Sequence, residues 1–363
     1  MNSSLGYITT LLSLFQSVSA IPTAQAPNKF NWSAKKGIIA FGDSYTYVQG
    51  THGHQNYSFI GDQFNYAYDP ETLLSNMIVQ NQVHSNSPIP SKYVLYPSGI
   101  RTNTRPETAT AEGGPNWIEY LTNCGLEPGM TSPRSCQKQL WDFAFAGADI
   151  STEYTPLHHN FTVSLVNQIT QFQEYGHSTL SQHLRETETL IAIWIGINDI
   201  GDSSKYAVDF PTFYANLTNT LFTSIDTLYK LGYKSYLLIN LPPLDRTPSN
   251  QATSTPHPNA TQVTWYNDAL AAHAEQFGKK RNVEMRVFDA HGRLSEIMES
   301  PGRYGIVNTT GYCAGYDQLD VGVNYKEYGC PVPVEEYFWF NSGHLTSHVH
   351  RILAGEIERW LMR

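Results

Sequence analysis

Residues 37–46 read GIIAFGDSYT. Ile38, Ile39, Ala40 and Phe41 form a short apolar run of the kind that a central parallel strand shows. The run ends abruptly in Gly42, Asp43, Ser44, Tyr45 and Thr46. An acid and three hydroxyls therefore stand where a buried strand leaves the core. In open parallel sheets the reactive groups gather at the carboxyl ends of the strands. Ser44 is thus the first candidate for chemistry.

The same pattern recurs along the chain. Residues 190–195 are apolar and run into Gly196-Ile197-Asn198-Asp199, read as a turn. Residues 234–241 form a third candidate strand, halted by Pro242-Pro243, and residues 283–288 a fourth. Helical spacing appears over residues 116–121, 161–175, 210–231, 261–280 and 347–362, with Gly232 a natural stop for the third of these. Strands alternating with helices predict an α/β fold, a three-layer α/β/α domain around a mainly parallel sheet. Residues 36–363 are expected to form one such domain. A long irregular insertion over residues 51–115, rich in Tyr, Asn, Pro and Gly, follows the first strand.

With 363 residues, 40% hydrophobic and 15% charged, the chain can bury a large core. Its net charge of -9 gives no basic stripe, which sets nucleic-acid binding aside. Residues 1–20, MNSSLGYITTLLSLFQSVSA, carry no charged side chain, hold an apolar stretch and end in the small-residue pattern Val18-Ser19-Ala20. They read as a secretory signal peptide, with residues 21–35 an N-terminal segment before the domain. No later stretch approaches the roughly eighteen apolar residues that a membrane span needs. An exported monomer with no membrane span is expected.

Two other features agree with export. Glycosylation sequons begin at Asn31, Asn56, Asn160, Asn216, Asn259 and Asn308. The four cysteines lie as two local pairs, Cys124 with Cys136 and Cys313 with Cys330, the simplest of three connectivities. They read as loop staples in an oxidising compartment. No CxxC or histidine-rich spacing suggests a metal, and no cofactor is expected.

A serine hydroxyl is a weak nucleophile until a base takes its proton. Of thirteen histidines, His344 stands apart because it lies in Phe340-Asn341-Ser342-Gly343-His344-Leu345-Thr346, just ahead of the closing helix. Four blocks occur in order: Phe41-Gly42-Asp43-Ser44-Tyr45, Phe143-Ala144-Phe145-Ala146-Gly147-Ala148, Gly196-Ile197-Asn198-Asp199 and Asn341-Ser342-Gly343-His344. In these blocks the chain resembles the GDSL or SGNH hydrolases, from about residue 36 to the end. The resemblance implies an SGNH, flavodoxin-like sheet. It also implies Ser44 as nucleophile, His344 as general base, and an oxyanion hole formed by the Ser44 and Gly147 N–H groups and the Asn198 amide. No G-x-S-x-G elbow surrounds Ser44, so the common lipase fold fits poorly.

One position departs from the pattern. The family usually carries an aspartate three residues before the histidine, and here Asn341 takes that place. Asn341 can orient the imidazole through its amide oxygen but supplies no charge. The sequence leaves two alternatives open, a Ser–His dyad backed by a main-chain carbonyl, or a carboxylate from Asp317, Asp320, Glu335 or Glu336.

Within the superfamily the chain resembles secreted fungal acetyl esterases of carbohydrate esterase family 16. The stretches Trp194 through Gly201 and Gly113-Gly114-Pro115-Asn116-Trp117 carry that likeness. The implied substrate is an acetylated saccharide or another small ester, for which 23 Tyr and 7 Trp offer stacking surfaces. The alternatives are a secreted lipid or phospholipid esterase and, in another class, an inactive carbohydrate-binding relative.

Overall fold

The computed structural model describes residues 30–61, 67–80, 110–318 and 320–363. The expected signal peptide, and residues 62–66 and 81–109 of the insertion, lie outside the described residues.

Five parallel strands form the central sheet: β1 (Gly37–Gly42), β2 (Gln139–Asp142), β3 (Thr189–Trp194), β4 (Ser235–Ile239) and β5 (Glu284–Phe288). Their spatial order is β5-β4-β3-β1-β2. This is the flavodoxin-like order, with the chain reversing direction across the sheet between β1 and β3. In register, Gly42 lies opposite Trp194 on β3 and Ala40 opposite Asp142 on β2. Every residue of β1, β3 and β4 is buried. Uninterrupted apolar strands are what a sheet covered on both faces requires.

The helices α1 (Trp117–Thr122), α2 (Leu165–Gln171), α3 (Ile197–Ser203), α4 (Phe210–Lys230), α5 (Ala260–Gly278), α6 (Ala290–Glu299) and α7 (Ser347–Leu361) flank this sheet. On one side α4 packs along α5 and α2; on the other α7 packs on α1 and α6. Helix α4 begins at Asp209, whose carboxylate accepts the Thr212 N–H, and buries Tyr214, Leu217, Leu221, Ile225 and Leu228. That 3–4 spacing is one face of a helix. Each such aliphatic burial contributes roughly 1.5–3 kcal/mol.

Three expectations change. Strand β2 has only Leu140 and Trp141 as apolar residues between Gln139 and Asp142, so no hydrophobic run announces it. Pairing with β1 makes it a strand. The segment read as a turn at residues 196–199 opens helix α3, with Gly196 at its N-cap. The helix expected over residues 161–175 starts at Leu165 and widens into a π turn at Phe172–Gly176. The described parts of the insertion carry short elements of their own, including helix Pro70–Ser75 and strand Ile78–Gln80. Both disulfides join the cysteines that are near in sequence, Cys124 to Cys136 and Cys313 to Cys330.

Candidate active site

Ser44 sits two residues beyond the carboxyl end of β1, held by a buried polar frame. Asp43 Oδ1 accepts the Tyr45 N–H at 3.0 Å, and the Asp43 carbonyl accepts the Thr46 and Tyr47 N–H groups. Asp43 thereby shapes the turn that presents the serine. Gly42 is required before it, because an added Cβ would lie 2.3 Å from the Trp194 carbonyl oxygen. The side chain of buried Gln168 closes on Gly42 from helix α2, with Oε1 accepting its N–H at 3.0 Å and Nε2 donating to its carbonyl at 2.8 Å. From the far side Asn116 Nδ2 donates to the Thr46 and Tyr47 carbonyls, each at 2.9 Å.

His344 arrives from the loop before α7. Its Nε2 lies 2.8 Å from Ser44 Oγ, and its Nδ1 lies 3.1 Å from Asn341 Oδ1. The same Asn341 oxygen accepts the backbone N–H of Gly343 at 3.0 Å and of His344 at 2.9 Å. Two main-chain donors identify that atom as oxygen, so the bond to Nδ1 requires the proton on Nδ1. Nε2 is then left with its lone pair toward the serine hydroxyl. Tyr45 supports the loop by donating its hydroxyl to the Gly343 carbonyl, with its ring 5.3 Å from that of His344. Behind Asn341, Phe340 belongs to a small second core with Val334, Tyr337 and the Cys313–Cys330 disulfide.

The four carboxylates considered as alternatives stay outside this chain of bonds. Asp317 takes the Gln318 amide, and Asp320 takes Asn324 and Tyr328. Glu335 and Glu336 lie on the short turn Val334–Glu336. The bond to Nδ1 comes from Asn341, which also displaces the main-chain-carbonyl alternative.

His344 keeps a partly exposed edge, but its two nitrogens are enclosed by Ser44 and Asn341. Burial lowers its pKa to about 4, with no anion among the described residues offsetting the loss of hydration. Burial pushes the Asp43 carboxyl up to about 8, with Asp149 adding repulsion.

The remaining blocks meet at the same edge. The Phe145 N–H bonds to the Gly42 carbonyl at 3.1 Å, which ties the chain leaving β2 to the end of β1 two residues before Gly147. Asn198 Nδ2 donates to the Ala148 carbonyl at 2.9 Å, and Asp199 accepts the Ile150 N–H at 2.9 Å. One amide hydrogen of Asn198 is thus committed to holding the Gly147 loop and the second remains for a ligand. Among the described residues neither the Ser44 nor the Gly147 N–H donates to a protein acceptor. A serine hydroxyl, a neutral imidazole and uncommitted donors together at a strand end suit acyl transfer.

The sequence pattern of the GDSL-like lipase/acylhydrolase family matches residues 38–357. The chain belongs to that family. This GDSL hydrolase is therefore a carboxylic ester hydrolase. An acetylesterase of Thermothelomyces thermophilus is 24% identical over 250 residues, covering 68% of this chain and 74% of its own length. An acetylesterase of Hypocrea jecorina is 22% identical over 285 residues, covering 68% and 76%. A phosphatidylcholine-sterol acyltransferase of Aeromonas hydrophila is 22% identical over 206 residues, covering 56% and 55%. Among solved structures, a carbohydrate acetylesterase of Sinorhizobium meliloti matches with a TM-score of 0.40 and 11% identity, covering 90% of this chain and 100% of that one.

Several supporting residues carried no sequence signal. Gln168 lies 126 residues from Gly42, and no local spacing marks it as the clamp of β1. His350 is fully buried under the site, its Nδ1 accepting the Trp117 N–H at 3.2 Å and its Nε2 3.6 Å from Glu112 Oε1. Its position one turn into α7 was legible, but its burial was not.

Proposed function

We propose that this GDSL hydrolase is a secreted acetylesterase acting on acetylated saccharides. The Ser44 oxygen attacks the ester carbonyl while His344 Nε2 takes its proton, then returns that proton to the departing alcohol. Water repeats the sequence on the acyl-enzyme and releases acetate. The Ser44 and Gly147 N–H groups and the Asn198 amide receive the negative charge on the former carbonyl oxygen. Asn341 fixes the imidazole as a neutral acceptor.

The observation that carries this reading is the unbroken chain from Ser44 Oγ to His344 Nε2 at 2.8 Å and from Nδ1 to Asn341. The acetyl assignment draws on the two relatives named acetylesterase. The saccharide assignment draws on an aromatic group beside the Gly147 loop. Tyr57, whose carbonyl accepts the Ala146 N–H, stands 4.7 Å from Phe161, and His54 stacks on Phe161 at 4.1 Å. Rings of this kind offer flat faces to a sugar. Export and glycosylation rest on the amino-terminal segment, the two disulfides and the sequons, of which Asn31, Asn56, Asn160, Asn216 and Asn259 are exposed and Asn308 is partly so.

Hydrolysis of p-nitrophenyl acetate and octanoate by the purified protein and by Ser44→Ala tests the proposal. Acetate is expected to be the better substrate by kcat/KM, and Ser44→Ala to keep under about 0.1% of activity. A preference for octanoate favours a lipid ester. Retained activity in Ser44→Ala places the nucleophile elsewhere. Release of acetate from acetylated xylan or mannan fragments then identifies the sugar.

A further inference from the structure

The loop that leaves Gly147 returns over helix α3 and brings together Asp149, His158 and Asp202, far apart in sequence. Each offers one ligand atom, and all three atoms lie within 4.8 Å of one another. His158 Nε2 is 2.8 Å from Asp202 Oδ2, while the other oxygen of Asp202 takes the Lys205 ammonium at 2.7 Å.

Asp149 is the anomaly. It is 1% exposed, yet neither carboxylate oxygen has a hydrogen-bond partner. The hydroxyl of buried Thr155, close enough to favour the anion, is likewise unbonded. A buried carboxylate without a partner costs on the order of a few kcal/mol. Its surroundings make matters worse, because Asp199, Asp202 and Asp43 are all close enough to repel it. Nearby cations among the described residues are the imidazole of His158, when protonated, and Lys205, whose side chain is 66% exposed.

We propose that Asp149, His158 and Asp202 form a binding site for a divalent metal ion, with the Thr155 hydroxyl at its edge. One imidazole and two carboxylates suit Zn²⁺ or Mn²⁺ better than Ca²⁺, which prefers an all-oxygen shell. Ligand bonds of about 2.0–2.2 Å require the three side chains to draw in and His158 to turn Nε2 from Asp202 to the ion. Side-chain exposure of 31% at His158 leaves a path for entry.

The site lies against the proposed oxyanion donors. A Cβ added to Gly147 would meet His158 Cβ at 3.3 Å, so the imidazole packs directly on that glycine. Asp149 follows Gly147 by two residues, and Asp202 follows Asn198 by one helical turn. An ion there ties the Gly147 loop to the helix that carries Asn198, parallel to the bond from Asn198 to the Ala148 carbonyl. Binding stands apart from the esterase reading, whereas any effect on rate rests on it.

The test uses the full secreted chain, treated with EDTA and freed of chelator. ZnCl₂, MnCl₂ and CaCl₂ are titrated separately by calorimetry, with Tm followed in parallel. One Zn²⁺ or Mn²⁺ per chain, with a saturable rise in Tm, is expected. Asp149→Asn preserves shape and is expected to weaken binding at least tenfold, as is His158→Ala. Should Asp149→Asn fail to fold, Asp202→Asn serves the same comparison. No binding up to about 1 mM metal overturns the proposal, a range in which even weak specific sites register; the proton on His158 is then the counter-charge. Equal binding by wild type and by the folded variants overturns it as well.

Discussion

Asn341 Oδ1 accepts three N–H groups at once, from His344 Nδ1 at 3.1 Å and from the main chains of Gly343 and His344. A single neutral oxygen thus fixes both the loop and the tautomer of the ring it supports. What it does not provide is charge for the imidazolium that the proposed acyl transfer would form.

Asn341→Ala is expected to lower kcat at least tenfold, because it frees the ring and unties the loop together. Asn341→Asp keeps the bonds and adds an anion, so kcat should rise. Steady-state kinetics on p-nitrophenyl acetate distinguish the two. An unchanged kcat in both variants would remove Asn341 from the mechanism.

The pH dependence of kcat/KM follows from the same pair. His344 acts as base only when neutral, and burial holds its pKa down to about 4. Activity should therefore persist to about pH 5 and fall as the ring protonates below that. A carboxylate at position 341 favours the imidazolium, so Asn341→Asp should move the acid limb upward by about one unit. An acid limb near pH 6.5 in the wild type would contradict the assignment.

Asn198 ties down the Ala148 carbonyl with one amide hydrogen, and in the proposed mechanism the other meets the substrate. Asn198→Ala is expected to reduce kcat about 10²–10³-fold with little change in KM, the behaviour of a donor used chiefly in the transition state. A loss confined to KM would make it a ground-state contact.

Gly42→Ala drives a methyl carbon into the Trp194 carbonyl, at 2.3 Å, where strands β1 and β3 are paired over their full length. Neither backbone can move without breaking the ladder. A loss of about 2 kcal/mol or more is expected, read as a lower Tm, with activity falling because Ser44 lies two residues on. An unchanged Tm would show that the strand end is slack.

Stability should decline above neutrality. The Asp43 carboxyl, pushed up to about 8 chiefly by burial, holds a proton in the native chain that the unfolded chain gives up near pH 3.8. That contribution is full below about pH 4 and is lost as pH rises through 8. His344 and His350, lowered to about 4 and 3 by burial, act the other way, losing stability only as pH falls below 6.5. Between pH 6.5 and 8.5 those two histidines add no slope, and His158, raised chiefly by its bond to Asp202, adds to the decline, so Tm should fall with rising pH. The fall should be smaller in Asp43→Asn. An equal slope in that variant would assign the proton uptake to other buried acids.

The sequence alone determined the elements whose chemistry is local. Strands β1, β3 and β4 announce themselves as apolar runs, and α4, α5 and α7 by helical spacing and polar caps, because burial on both sheet faces or on one helix face imposes those patterns within a few residues. Ser44 and His344 were legible because each lies at the end of such an element. Tertiary structure decided the rest. Strand β2 exists only through its pairing with β1, and Gln168 clamps Gly42 from 126 residues away. Asn341 was separated from four nearby carboxylates only when the loop folded around its oxygen. Asp149 lost its partners on burial in the same way, since solvation and hydrogen bonding across distant segments depend on packing that no local spacing encodes.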